Sequence, residues 1–249
     1  MSIPAIEINR LTKSFSSGRK RSNALCDLSI TIAQGEVFGF LGPNGAGKST
    51  TIKLLLRFLK PDSGRLAIMG HSVGVDEFRH QIGYLSEFPF FYDHLTAQET
   101  LSLSGRLSGM GKELINQRIP MLLKRMNLAD VADRKVSGFS KGMKQRLGMA
   151  NALIHDPSVL IFDEPMSGLD PVGRHQIKSL ICELKKGGKT IFFSSHILSD
   201  IEVLCDRIGI INKGILLYTG SLGGFLAEDG GLEERFIKVI EEDNNAGAA

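Results

Sequence analysis

Gly42, Pro43, Asn44, Gly45, Ala46, Gly47, Lys48, Ser49 and Thr50 run in sequence and satisfy the pattern G-x-x-x-x-G-K-[ST], which constrains the fold more than any other stretch. Ahead of it, residues 37–41 are an unbroken apolar run that reads as a buried parallel strand. Behind it, Ile52, Leu55, Leu56 and Leu59 recur at helical spacing, with Lys53, Arg57 and Lys60 on the opposite face. Strand, glycine-rich loop and helix in that order form a phosphate cradle. Backbone N–H groups of the loop and the helix N-terminus point at phosphate oxygens, Lys48 reaches the β and γ oxygens, and the Ser49 hydroxyl can ligate Mg²⁺. Glycines are required because a Cβ would block the close approach of backbone to phosphate.

The rest of the chain arranges itself around that unit. Residues 5–10 alternate through Ile6 and Ile8, and a second alternation runs through Leu28, Ile30 and Ile32, so an N-terminal antiparallel β subdomain is expected. The polar stretch 11–22 between them reads as a loop with Phe15 as its one aromatic. From residue 96 to about 126 helical spacing takes over, and an inserted α-helical subdomain is expected over about 88–155. Strands then alternate with helices again, which predicts an α/β fold, a P-loop NTPase core with a parallel sheet, in a single domain over residues 1–240. Residues 241–249 are polar and expected to fray.

Open α/β sheets bind ligands beyond the carboxyl ends of their strands. Residues 159–162 form an apolar strand ending in Asp163 and Glu164, so both acids are expected to face the phosphates. Asp163 suits water-mediated Mg²⁺ binding, and Glu164 suits polarising an attacking water. His196 follows the apolar strand 190–193 and is expected at the same edge, where it could meet a γ-phosphate.

With 249 residues, 42% hydrophobic and 23% charged, the chain can bury a full-sized core, and its net charge of +3 is spread rather than clustered, so no nucleic acid partner is expected. Cys26, Cys182 and Cys205 lie far apart, which argues against a disulfide framework or a zinc site and for a reducing compartment. No run of about 18 apolar residues occurs, and the start of the chain lacks the basic and apolar regions of a signal peptide.

These motifs make the chain resemble the nucleotide-binding subunit of an ATP-binding cassette (ABC) transporter over nearly its whole length. Besides the phosphate loop and the acidic strand end Leu-Ile-Phe-Asp-Glu-Pro165, residues Phe139-Ser140-Lys141-Gly142-Met143 resemble the signature LSGGQ, Ser167-Gly168-Leu169-Asp170 resembles the D-loop, and His196 falls where the family has its switch histidine. The resemblance implies ATP and Mg²⁺ as ligands, with Glu164 and His196 catalytic and Phe15 stacked on adenine. It also implies that Ser140 and the Gly142 backbone contact the γ-phosphate held by a second ATP-binding subunit, so that two chains, a homodimer in the simplest case, share each site, with Asp170 communicating between them. Permease subunits on separate chains would then hold this cytoplasmic protein at the inner face of the cell membrane. The signature and the compact end of the chain after His196 resemble export systems more than importers with long regulatory extensions. Soluble family members that repair DNA, organise chromosomes or serve translation carry coiled-coil insertions or paired cassettes; no heptads or repeats are visible here. A module that holds ATP without turnover would show a degraded Glu164 or His196, and both are intact. Two positions depart from the family pattern. Lys141 stands where the family has Gly, which would be strained if the position needs positive φ, and its charge could instead favour the phosphate. Glu87 replaces the family's Gln as a metal ligand, keeping an oxygen donor and losing the amide N–H.

Overall fold

The computed structural model describes residues 3–17, 20–74, 76–227 and 230–246. The phosphate loop follows β3 (Val37–Leu41) and opens α1 (Lys48–Leu55). Later strands β6 (Ile82–Leu85), β7 (Val159–Asp163), β8 (Thr190–Ser195), β9 (Arg207–Asn212) and β10 (Ile215–Ser221) join it in a sheet of order β10-β9-β3-β8-β7-β6. Every pairing is parallel except β10 with β9.

Strands covered on both faces read as near-continuous apolar runs, and β3, β7 and β8 are buried throughout, polar only at Thr190 and at the carboxyl ends Asp163, Ser194 and Ser195. Their alternating side chains serve two cores. Val37 and Leu41 face one, with Phe193 and the helices α4 (Lys141–Leu153) and α5 (Pro171–Lys186). Phe38 and Phe40 face the other, packing on Phe192 at ring separations of 6.0 and 5.4 Å. That second core is closed by α1 and by an antiparallel sheet of order β2-β1-β4-β5, made of β1 (Ile6–Ser17), β2 (Lys20–Ile32), β4 (Ser63–Ile68) and β5 (His71–Ser72).

Between β6 and β7 the alternation of strands and helices stops. There α2 (Ala97–Leu107), α3 (Lys112–Arg125) and α4 follow one another, and α2 opens on a capping box in which Thr96 accepts from the Glu99 N–H and Glu99 accepts from the Thr96 N–H. After β8 come α6 (Leu198–Leu204), then α7 (Leu222–Leu226) and α8 (Leu232–Ala246).

Two expectations are corrected. The stretch 11–22 is not a loop: β1 and β2 carry on as a ribbon with Phe15 opposite Ser22, and residues 18 and 19 at its tip lie outside the described residues. Register shifts between Ile8 and Leu11, Leu11 and Lys13, and Lys13 and Ser14 break the period-two pattern from which a strand is read. The polar segment from Glu241 is helical as far as Ala246, and residues 247–249 lie outside the described residues. Phe236, Val239 and Ile240 hold α8 on the core, and the buried Asn212 amide donates to Asp243 Oδ2 (2.9 Å) and Asn244 Oδ1 (3.3 Å), which ties down the helix end.

Candidate functional site

The loop between β3 and α1 is shaped by what surrounds it. Gly47 sits at φ +117°, a conformation open only to glycine, and a Cβ there would come within 2.8 Å of the Ala24 carbonyl. A Cβ on Gly42 would run into the Ile211 carbonyl. No side chain caps the N-terminus of α1, so its first N–H groups are free for an anion. Lys48 folds back over the loop, donating to the carbonyls of Gly42 (2.6 Å) and Pro43 (3.2 Å). Burial lowers its pKa, while the carboxylates of Glu164, Asp163 and Glu87 pull the other way. The Lys48 ammonium thus sits at the loop beside three carboxylates, with the uncapped N–H groups of α1 next to it.

The acids are held by β8. Ser194 Oγ donates to Asp163 Oδ1 (2.6 Å) and accepts from the Glu164 N–H (3.1 Å), so one hydroxyl positions both. Glu164 takes a left-handed backbone, φ 49°, strain of the kind that concentrates at functional sites. Its Oε2 lies 2.9 Å from His196 Nδ1. An ionised carboxylate can only accept, so in that state the ring donates from Nδ1. Glu164 is buried and the His196 side chain is 57% exposed, which turns the pair toward an opening.

Pro43 through Thr50, Glu87, Asp163, Glu164 and His196 line one cleft of about 500 Å³, joined by Ala24. That volume and this donor set fit a nucleoside triphosphate's phosphate chain. Among the described residues no group of three His, Cys, Asp or Glu could hold a metal unaided; Ser49, Glu87 and Asp163, oxygen donors of the kind Mg²⁺ takes, line the cleft together. Phe15 is not in this lining; it is 44% exposed on β1, with Lys13 Nζ 5.7 Å from its ring.

Ser140, Gly142 and Asp170 are not brought to that cleft. They line a separate one of about 320 Å³, together with Arg146 and Gly168. Ser140 caps α4 by accepting from the Met143 N–H (3.2 Å), and Asp170 caps α5 by accepting from the Gly173 N–H (2.8 Å). Lys141, the first residue of α4, is not among the residues of positive φ, so the expected strain is absent, and it does not line this second cleft.

Sequence reasoning missed Ser194, whose signal was a polar residue ending the apolar strand TIFFSS, and Gln145, 1% exposed, which donates to the Pro165 carbonyl (3.1 Å) and so ties α4 to the turn after Glu164. Ala24 left no signal.

A family model described as ABC transporter matches residues 25–167, more than half of the chain. The chain belongs to the ABC transporter family. It is 46% identical over 233 residues to an uncharacterized ABC transporter ATP-binding protein of Synechocystis sp., covering 92% of this chain and 66% of that relative, so it spans about two thirds of the relative's length. To the Nod factor export ATP-binding protein I of Rhizobium sp. it is 41% identical over 230 residues, 92% of this chain and 74% of that one. Among solved structures, a dimeric ATP-binding cassette in a post-hydrolysis state with ADP and Pi superposes with a TM-score of 0.81 at 26% identity, covering 87% of this chain and 98% of that one. The α/β P-loop NTPase fold of the ABC ATPases is therefore the fold of this chain.

Proposed function

We propose that this ABC protein binds ATP with Mg²⁺ in the phosphate cleft and hydrolyses it to energise a membrane permease carried on separate chains. The observation that carries the reading is the line His196–Glu164 and Ser194–Asp163 facing Lys48 across one cleft. The loop amides and Lys48 take the β- and γ-phosphates. Mg²⁺, when bound, supplies charge neutralisation there, with Ser49, Asp163 and Glu87 as the residues that would hold it directly or through water. Glu164 accepts a proton from water as its oxygen bonds to the γ-phosphorus and the bond to the β-phosphate oxygen breaks, releasing ADP and phosphate. His196 holds the Glu164 carboxylate and reaches the γ-phosphate from the open side. Phe15, exposed on its ribbon, stacks on the base.

The Ser140, Gly142 and Asp170 cleft completes the site of a second ATP-binding subunit, most simply a second copy. A two-fold axis that sets each chain's phosphate cleft against the other's signature cleft makes two equal sites. That a similar cassette is dimeric with ADP and Pi bound supports a second ATP-binding subunit. Among the described residues no helix is long and apolar enough to cross a membrane. Attachment at the inner membrane face through the permease, with Phe88, Phe90 and Tyr92 exposed by 67%, 90% and 59% as its contact, agrees with that. The named export relative favours an exporter.

Glu164→Gln tests the reading. ATP affinity by calorimetry should hold within about twofold while turnover falls by roughly 10²–10⁴, the range of a lost general base. Size-exclusion chromatography with ATP should then give a dimer. Full turnover in the variant would remove Glu164 from the chemistry.

A further inference from the structure

Lys141 stands where the family pattern has glycine, and its surroundings give it work. As the first residue of α4 it adds a positive charge to the positive end of a helix that has no acid in its first turn, an unfavourable placement on local grounds. Its ammonium lies 5.1 Å from the centre of the Phe88 ring. Its stem lies across Gly168 so closely that a Cβ there would run into Cδ, Cε and Nζ of the lysine. Phe88 directly follows Glu87, which lines the phosphate cleft, whereas Ser140, Gly142 and Gly168 line the other cleft. One side chain thus touches the segment leaving the first cleft and the turn forming the second.

The neighbouring contacts make this part of a built seam. Pro89 lies so close to α4 that a Cβ on Gly148 would come within 3.0 Å of it, and Lys144 pairs with Asp93 at 3.6 Å. Residues 141, 144 and 148 share one helix face. Backbone bonds from Ser137 to Asp93 (3.2 Å) and from Val136 to Leu95 (2.8 Å) extend the seam past the helix start.

We propose that Lys141 is a positioning residue, a strut through which displacement of the Glu87–Phe88 segment by nucleotide is passed to Ser140, Gly142 and the Gly168–Asp170 turn. The inference rests on the nucleotide reading above. Lys141 acts through Phe88 and Gly168 and does not touch phosphate.

The chain contains no tryptophan, so Phe88→Trp places a single fluorescent reporter on the strut. Titrating ATP with Mg²⁺ should change its emission. Adding Lys141→Met, which keeps the stem and removes the charge, should cut that change by about threefold or more, and Lys141→Arg should retain it. ATP affinity by calorimetry should stay within about twofold in all three proteins, and in the Phe88 background Lys141→Met should lower kcat with KM unchanged. Undiminished emission change in the methionine variant overturns the proposal. So does a loss of ATP affinity of about tenfold or more, which would make Lys141 a phosphate ligand. Failure of the unmodified chain to bind ATP would overturn the nucleotide reading itself, and this inference with it.

Discussion

Ser194 carries no charge, yet both acids at the end of β7, Asp163 and Glu164, depend on it. Removing its hydroxyl leaves Asp163 Oδ1 without its 2.6 Å donor and leaves the Glu164 N–H with only the Ser194 carbonyl at 3.3 Å. Ser194 itself is fully buried, so water cannot substitute easily for its hydroxyl. Ser194→Ala should therefore cost about 1–3 kcal/mol of fold stability in urea denaturation. Turnover should fall by roughly 10–10² because a carboxylate displaced by a fraction of an ångström no longer aligns its water, while ATP affinity changes little. A variant with normal turnover would make Ser194 a packing residue only. At this scale the sequence was legible where chemistry demands a residue type at a fixed offset, as from Gly42 to Ser49. It was silent at Ser194, where the demand comes from a strand 31 residues away from the acid it serves.

At the scale of elements, α4 carries Ser140 at its start and is pinned beyond its end by His155, whose Nε2 donates to the Ile82 carbonyl of β6 at 2.9 Å while Nδ1 is buried without a partner. Burial pushes this imidazole below its ordinary value of 6.5; the Ile82 acceptor opposes the shift, and His80 and Arg118 add to it. A group that protonates less readily folded than unfolded makes the unfolded state bind more protons as pH falls below that ordinary value. Stability from His155 is thus complete above about pH 6.5 and declines as pH drops toward the folded value, by at most about 1.4 kcal/mol per pH unit for one proton. His155→Gln keeps a donor and removes the titration, so urea midpoints at pH 7.5 and 5.5 should lie closer together than in the parent; an unchanged gap would discard this account. The elements easiest to read were those whose burial leaves no choice of pattern, β3, β7 and β8 among them. The ribbon of β1 and β2 was lost to its bulges. The end of α8 was lost because its anchor is a hydrogen bond from Asn212, which hydropathy does not register.

For the whole molecule, the exposed aromatics after Glu87 are the permease contact proposed above. Phe91 packs against the core, whereas Phe90 and Tyr92 stand in solvent. Changing both to serine should leave thermal stability within about 0.5 kcal/mol, as for surface substitutions, and soluble ATPase activity intact. Co-purification with the permease should be lost; retained co-purification would move the docking surface elsewhere. The sheet order has a further consequence, for synthesis. β3 is completed early, yet its two neighbours are β8 and β9, Val37 is tied to Asp206 across 169 residues, and the loop rests on Ile211 and on the Gly214 N–H bound to the Ala46 carbonyl at 2.8 Å. At roughly 5–20 residues per second a ribosome needs on the order of ten to thirty seconds to cover that interval. Throughout it the nascent chain displays the whole phosphate-binding sequence while lacking the walls that shape it, together with an apolar strand whose two edges are open. A chaperone that shields β3 during that wait would guard the element on which every later step of assembly depends.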